Sequence, residues 1–150
     1  MSSVCVINVV GLTSALLQHA PRIASLGEAR PWTSPYPAVT CTSQATMLTG
    51  LAPRQHGIVG NGWLFRDTGE VRFWQQSNRL MQGEKLYEGV STAKMFWWFN
   101  QGAPVNWYAT PKPHYGCDGS KAFDILDETG TDLVKHLGDF PFFSFWGPRA

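Results

Sequence analysis

The sequence predicts an α/β protein: a doubly wound, mostly parallel sheet with helices on both faces, incomplete at the C-terminus. Three observations predict it. Residues 4–10 form a near-continuous apolar, β-branched run broken by Gly11, the composition of a strand covered on both faces. Further runs of this kind, at 93–99 and 140–146, are separated by segments with helical spacing. The chain is also large enough to bury a core without metal or disulfide staples, with 150 residues of which 43% are hydrophobic and seven are Trp.

Taken in order, residues 4–10 are the expected first strand. Residues 12–27 read as helix in two pieces, with Leu12, Ala15 and Leu16 on one face, then a fresh turn started by Pro21 and closed by Gly27. Pro31, Pro35 and Pro37 make residues 29–39 an extended approach. A short helix begins at or just after Thr40, with Ala45 and Leu48 three apart and Gly50 placed to end it in a left-handed conformation. Residues 53–62 read as loop. The aromatics of 63–74 are interrupted by Asp67-Thr68-Gly69, which predicts a hairpin, and residues 63–80 are expected to form an insertion over the sheet. Residues 83–89 can hold a short helix, 93–99 a buried strand, and 100–119 a loop rich in proline. Residues 128–137 fit a last amphipathic helix and 140–146 a final strand. Since the sequence stops before any helix that would cover that strand, it reads as the N-terminal part of a single larger domain, and the piece alone is expected to be inactive.

Composition narrows the function. Twelve Lys and Arg against eleven Asp and Glu leave a net charge of +1, with no basic footprint for a nucleic-acid polymer or an anionic membrane. No apolar stretch approaches the ~20 residues of a membrane span, and the first residues lack a signal-peptide pattern. Cys5, Cys41 and Cys117 are an odd, widely spaced set without metal-finger spacing, which predicts reduced thiols and a cytoplasmic location. Asp124, Asp127, Glu128 and Asp132 lack calcium-loop spacing, and neither a P-loop nor a dinucleotide-binding glycine pattern occurs.

Chemistry concentrates between Tyr36 and Trp63. A hydroxyl at a helix N-terminus, such as that of Thr40, sits where free N–H groups favour an alkoxide or phosphate. Asn61 offers an amide NH₂ able to donate to a phosphoryl oxygen, although an Asn between Gly60 and Gly62 equally suits a turn. The ordered set Thr40, Thr49-Gly50, Pro53-Arg54-Gln55-His56-Gly57-Ile58 and Asn61 resembles the nucleophile region of the alkaline phosphatase superfamily, in its nucleotide pyrophosphatase/phosphodiesterase branch.

The resemblance implies a metal-dependent phosphoryl-ester hydrolase acting on a nucleotide or other small phosphate ester. Thr40 would be both nucleophile and metal ligand, forming a phospho-threonine intermediate, and Asn61 would donate to the phosphoryl group. It also implies two divalent metal ions, zinc in the family. His56 falls in what the family pattern makes a structural loop. Trp63 and Phe65, which follow Asn61, are the expected lining of a substrate pocket, whereas Trp74, Trp97 and Trp98 read mainly as core. The metal set departs from the pattern at one point: Val10 stands where the family carries an Asp ligand, and Asn8 lies two residues upstream of it. His19, His114 and His136 fall in no matching motif. Two alternatives remain open at this point: a non-catalytic binding or scaffold relative on the same fold, and a phosphonate or sulfate-ester hydrolase.

Overall fold

The computed structural model describes residues 3–115, 118 and 120–126. The chain divides into two units at residue 33. The expected helix 128–137 and strand 140–146 lie outside the described residues.

In the first unit, the expected strand at 4–10 does not form. Residues 3–9 have no regular structure, and Val4, Ile7 and Val10 are 90%, 70% and 82% exposed. A central parallel strand is stable only between hydrogen-bonded neighbours, and this segment carries no strand pairing. The helix expected over 12–27 is reduced to two short pieces: Leu12, Ala15 and Leu16 fall outside the first, and the second starts at Pro21 as expected but ends at Ala24, not at Gly27. A single 3₁₀ turn spans Leu17–His19, and helix α1 (Pro21–Ala24) opens on Pro21, whose missing N–H costs nothing at a first helical position.

The second unit is organised by helix α2 (Thr40–Thr49). Val39 is extended at its N-cap, and Gly50 ends it at φ 68°, a left-handed conformation in which glycine escapes the Cβ penalty. Cys41, Ala45 and Leu48 fall on one stripe and are buried with Ile58, Met81, Tyr87 and Phe99 as the core. Helix α3 (Pro53–His56) is a single turn inside the stretch expected to be loop. Its first turn is tied by the Ala52 N–H donating to Gln55 Oε1 at 3.1 Å.

Strands β1 (Gly62–Phe65) and β2 (Glu70–Phe73) make the expected antiparallel hairpin, with Gly62 opposite Phe73 and Phe65 opposite Glu70. Residues 83–89 do not form the expected helix. Gly83 and Gly89 are both left-handed, at φ 88° and 77°, and the Leu86 N–H is drawn to the Leu48 carbonyl of α2 at 2.9 Å, not to a helical partner.

A second, three-stranded sheet has the order β3 (Ala93–Met95), β4 (Trp107–Tyr115), β5 (Lys121–Leu126). β3 and β4 are parallel, and β4 and β5 antiparallel. Two expectations are corrected here. The buried strand at 93–99 stops at Met95, because Phe96 and Phe99 take positive φ values of 64° and 63° and turn the chain back. Within the stretch expected to be loop, β4 forms in spite of Pro111 and Pro113. Being two apart, both prolines share one parity in the β4–β5 register, and β3 pairs only with residues 107–109, so the missing N–H groups fall at positions where no donor is required. Among the described residues helices and strands are thus mixed, compatible with an α/β protein, in one two-stranded and one three-stranded sheet, which are too small to make the doubly wound sheet expected.

The turn after β3 closes on a buried cation. Lys94 is 4% exposed, and its ammonium donates to the carbonyls of Trp98 at 2.7 Å and Phe99 at 2.9 Å. It lies 4.8 Å from the centre of the Tyr87 ring. Among the described residues the ion pairs are Arg72–Glu70 and Lys85–Glu88, neither of which neutralises it. Burial pushes the Lys94 amine down from 10.5 to about 7.

Because the folded value lies below the unfolded one, the unfolded chain binds more protons between about pH 7 and the ordinary lysine range. Lys94 therefore makes the fold more stable as pH rises through that window, and its penalty is constant below it. Denaturant titrations across this range are expected to show a stability rise in the parent protein that is flattened in Lys94→Met. Parallel curves would remove the charge from the core.

Candidate active site

Of the residues singled out in the sequence, Thr40 begins α2 and Asn61 is bonded to the same helix end. An α-helix leaves its first N–H groups outside its own ladder. Here the Ser43 N–H closes the first turn on the Val39 carbonyl at 2.9 Å, so the N–H groups of Thr40, Cys41 and Thr42 lie upstream of the ladder. The N-cap residue makes no side-chain cap. Asn61, brought back by the loop after α3, supplies one: its Oδ1 accepts from the Cys41 N–H at 2.9 Å. Since the partner is a donor, the carboxamide orientation is fixed, with oxygen toward the helix and NH₂ away from that bond.

Asn61 is therefore held against the N–H of the residue that follows Thr40. Thr40 and Asn61 are both half-buried. Next to Thr40, Cys41 is fully buried, and burial pushes its thiol up to about 12. A thiol held protonated and sealed from solvent is no nucleophile. Of the two neighbours, Thr40 is half-buried where Cys41 is fully buried. Thr42, one residue further, has a buried Oγ1 without a hydrogen-bond partner.

His56 is a scaffold residue, as its loop implied. Its Nδ1 accepts the Ile58 N–H at 3.1 Å, which puts the proton on Nε2, and Nε2 donates to Thr46 Oγ1 at 3.0 Å. Burial lowers its basicity further. With both nitrogens engaged and the ring fully buried, His56 fastens the loop after α3 to the middle of α2 and so delivers Asn61.

The two expected pocket residues part company. Trp63 packs edge-on against Phe99 with ring centroids 6.4 Å apart, alongside the core. Phe65 lies at the outer end of the hairpin, its ring covered by the Arg72 guanidinium at 5.0 Å. Two aromatics read as core have closer ties to the site. The Trp74 N–H donates to the Asn61 carbonyl at 2.9 Å, and Trp74 holds φ 56° to do so. The Trp98 N–H donates to Gln44 Oε1 on α2 at 2.8 Å. Their rings stack, 5.2 Å apart at 30°. Neither tie has a sequence signal, because both run through main-chain groups.

The described residues do not by themselves fit a two-metal centre. They contain no group of three or more His, Cys, Asp or Glu able to hold an ion, His56 has no free nitrogen, and Asn61 Oδ1 is committed to Cys41. No helix among them is long and apolar enough to cross a membrane.

The family model for type I phosphodiesterase / nucleotide pyrophosphatase matches residues 4–139. The chain belongs to this family of hydrolases, whose activity is of the phosphodiesterase and nucleotide pyrophosphatase type. Comparisons with curated proteins and with solved structures found no match.

The Asn61 cap separates two properties of one side chain. Asn61→Ala is expected to lower stability by ~1 kcal/mol through loss of the cap. Asn61→Asp keeps an acceptor for the Cys41 N–H and places a negative charge at the helix N-terminus, so it is expected to match or exceed the parent. Equal denaturation midpoints for the parent and Asn61→Ala would show that the bond contributes nothing.

Proposed function

We propose that the protein hydrolyses phosphodiester or pyrophosphate bonds of small molecules, nucleotides among them, with Thr40 as nucleophile and Asn61 as donor to the transferred group. The observation that carries this reading is the bond from the Cys41 N–H to Asn61 Oδ1, which brings the Asn61 carboxamide to the end of the helix that begins with Thr40. The family membership sets the reaction class.

In the proposed first step Thr40 Oγ1 gives its proton to solvent and forms a bond to phosphorus, while the bond from phosphorus to the leaving oxygen breaks and that oxygen takes a proton from water. Negative charge grows on the non-bridging oxygens. The helix N-terminus and the Asn61 NH₂ oppose it, and they are already oriented before reaction. In the second step water attacks the phospho-threonine, phosphate or its monoester leaves, and the hydroxyl is restored. Buried His56 and Cys41 take no part. Divalent ions, proposed to be zinc, would draw carboxylate and imidazole ligands from outside the described residues, with Thr40 as this segment's contribution. When bound they would supply charge stabilisation.

Trp63 is proposed to back the leaving-group side of the pocket, with Phe65 further out along the hairpin. The valine at position 10 favours a second reading, a non-catalytic binding relative, and the same experiment distinguishes them.

With a chromogenic phosphodiester, Thr40→Ala is expected to abolish turnover. Asn61→Asp, which keeps the cap and loses the NH₂ donor, is expected to lower kcat ~10²–10³-fold at unchanged stability. Undiminished turnover in Thr40→Ala would remove the nucleophile assignment, and a parent protein that binds the ester without cleaving it would favour the binding relative.

A further inference from the structure

The turn from Phe96 to Asn100 is held in an arrangement that its own sequence does not favour. Phe96 and Phe99 both adopt left-handed backbone conformations, which for bulky residues persist only where surrounding contacts enforce them. Those contacts come from two sides. From inside, Lys94 Nζ donates to the consecutive carbonyls of Trp98 and Phe99, and Asn100 Nδ2 returns a bond to the Lys94 carbonyl at 3.2 Å. From outside, Gln44 of α2 takes the Trp98 N–H. Two rings of this turn are then tied to the surroundings of Asn61: Trp98 stacks on Trp74, whose N–H is bound to the Asn61 carbonyl, and Phe99 meets the edge of Trp63, two residues from Asn61.

We propose that Lys94 is a positioning residue for ligand selection: through the Trp98 and Phe99 carbonyls it sets the stacked Trp74–Trp98 pair beside Thr40 and Asn61, as a platform for phosphate esters that carry a planar ring. This rests on the reading of Thr40 and Asn61 as a phosphoryl site. Lys94 itself, sealed beneath the turn, touches no ligand.

The choice of lysine follows from what lies around it. Two adjacent buried carbonyls need donors that no strand supplies, and a flexible four-carbon stem ending in an amine reaches both. The ring facing the amine is Tyr87, whose phenol donates to Asn78 Oδ1 at 2.6 Å and is kept neutral by burial and by nearby Glu88. Glu88 in turn is paired with Lys85 at 3.2 Å. Because no carboxylate among the described residues anchors Lys94, its hydrogen bonds go to the main chain of the turn, so its loss is felt first at Trp98 and the indole stacked on it. Half-buried, the stacked pair keeps surface for a ligand, and a base or similar ring laid on an indole gains stacking energy without needing a particular hydrogen-bond pattern.

The test uses the full chain and three variants, Lys94→Met, Trp98→Ala and the double substitution. Binding of a nucleoside monophosphate and of ribose phosphate, which lacks the ring, is measured by calorimetry. The exciton couplet of the stacked indoles is read by circular dichroism. Lys94→Met is expected to lose the couplet and to weaken nucleoside monophosphate binding about tenfold, with ribose phosphate unaffected. The double variant is expected to bind no worse than Trp98→Ala, since both act through one ring. A retained couplet with unchanged binding, or additive losses in the double variant, would overturn the proposal. Should Lys94→Met fail to fold, Trp98→Ala decides: equal affinity of parent and variant for the nucleoside monophosphate overturns it, and a loss confined to that ligand supports it. The catalytic reading fails separately, by persistent turnover in Thr40→Ala, and leaves the couplet and binding results to judge Lys94.

Discussion

The bond from the Cys41 N–H to Asn61 Oδ1 is the contact on which the arrangement of this protein depends. It joins residues twenty apart in the chain, satisfies one donor at the start of α2, and fixes which end of the carboxamide faces the helix. The segment between them is arranged to make it. Gly50 turns the chain out of α2, α3 reverses it, and His56 pins the reversal back to Thr46. The hairpin follows from the same point, since Asn61 also accepts the Trp74 N–H through its carbonyl. One residue is thus helix cap, hairpin anchor and proposed phosphoryl donor.

Around this junction the interior is more polar than the hydrophobic content of the sequence implies. Thr42, Gln44, His56, Gln76, Asn78, Lys94, Asn100 and Thr110 are buried beside the apolar core. Several of them bond main-chain groups of irregular segments: Gln44 takes the N–H of Trp98, Lys94 two carbonyls, and His56 the N–H of Ile58. Turns that pass through the interior leave main-chain groups that no ladder satisfies, and side chains must meet them. This distribution sets rigid polar ties beneath the candidate site, and two of them end at Trp98.

Much of α2 and its surroundings was legible in the sequence because local chemistry decides it. Gly50 ends the helix, Pro21 opens a turn, and Asp67-Thr68-Gly69 marks a hairpin, each through a backbone preference that needs no distant partner. Thr40 and Asn61 stand in an ordered motif, whereas the bond from the Cys41 N–H to Asn61 depends on a loop closure that periodicity does not encode. The errors arose where tertiary contacts overrule pattern. Residues 4–10 have strand composition without pairing, and residues 93–99 have an apolar run whose single lysine folds the second half back over the first. Lys94 was the available warning there, a charge inside a run taken as buried. Pro111 and Pro113 concealed β4 because proline excludes a strand only where its N–H is needed, and register decides that.

The proposed nucleophile, Thr40, and its neighbour Cys41 differ in surroundings: a half-buried residue at the helix start and a sealed thiol held protonated. The most direct measurement is rapid acid quenching of the full-length protein during turnover of a phosphorus-labelled diester, followed by peptide mapping by mass spectrometry. The account predicts that the label is bound covalently to the side chain of residue 40 in the parent protein. Turnover that proceeds with no label there, or with the label on another residue, would contradict it.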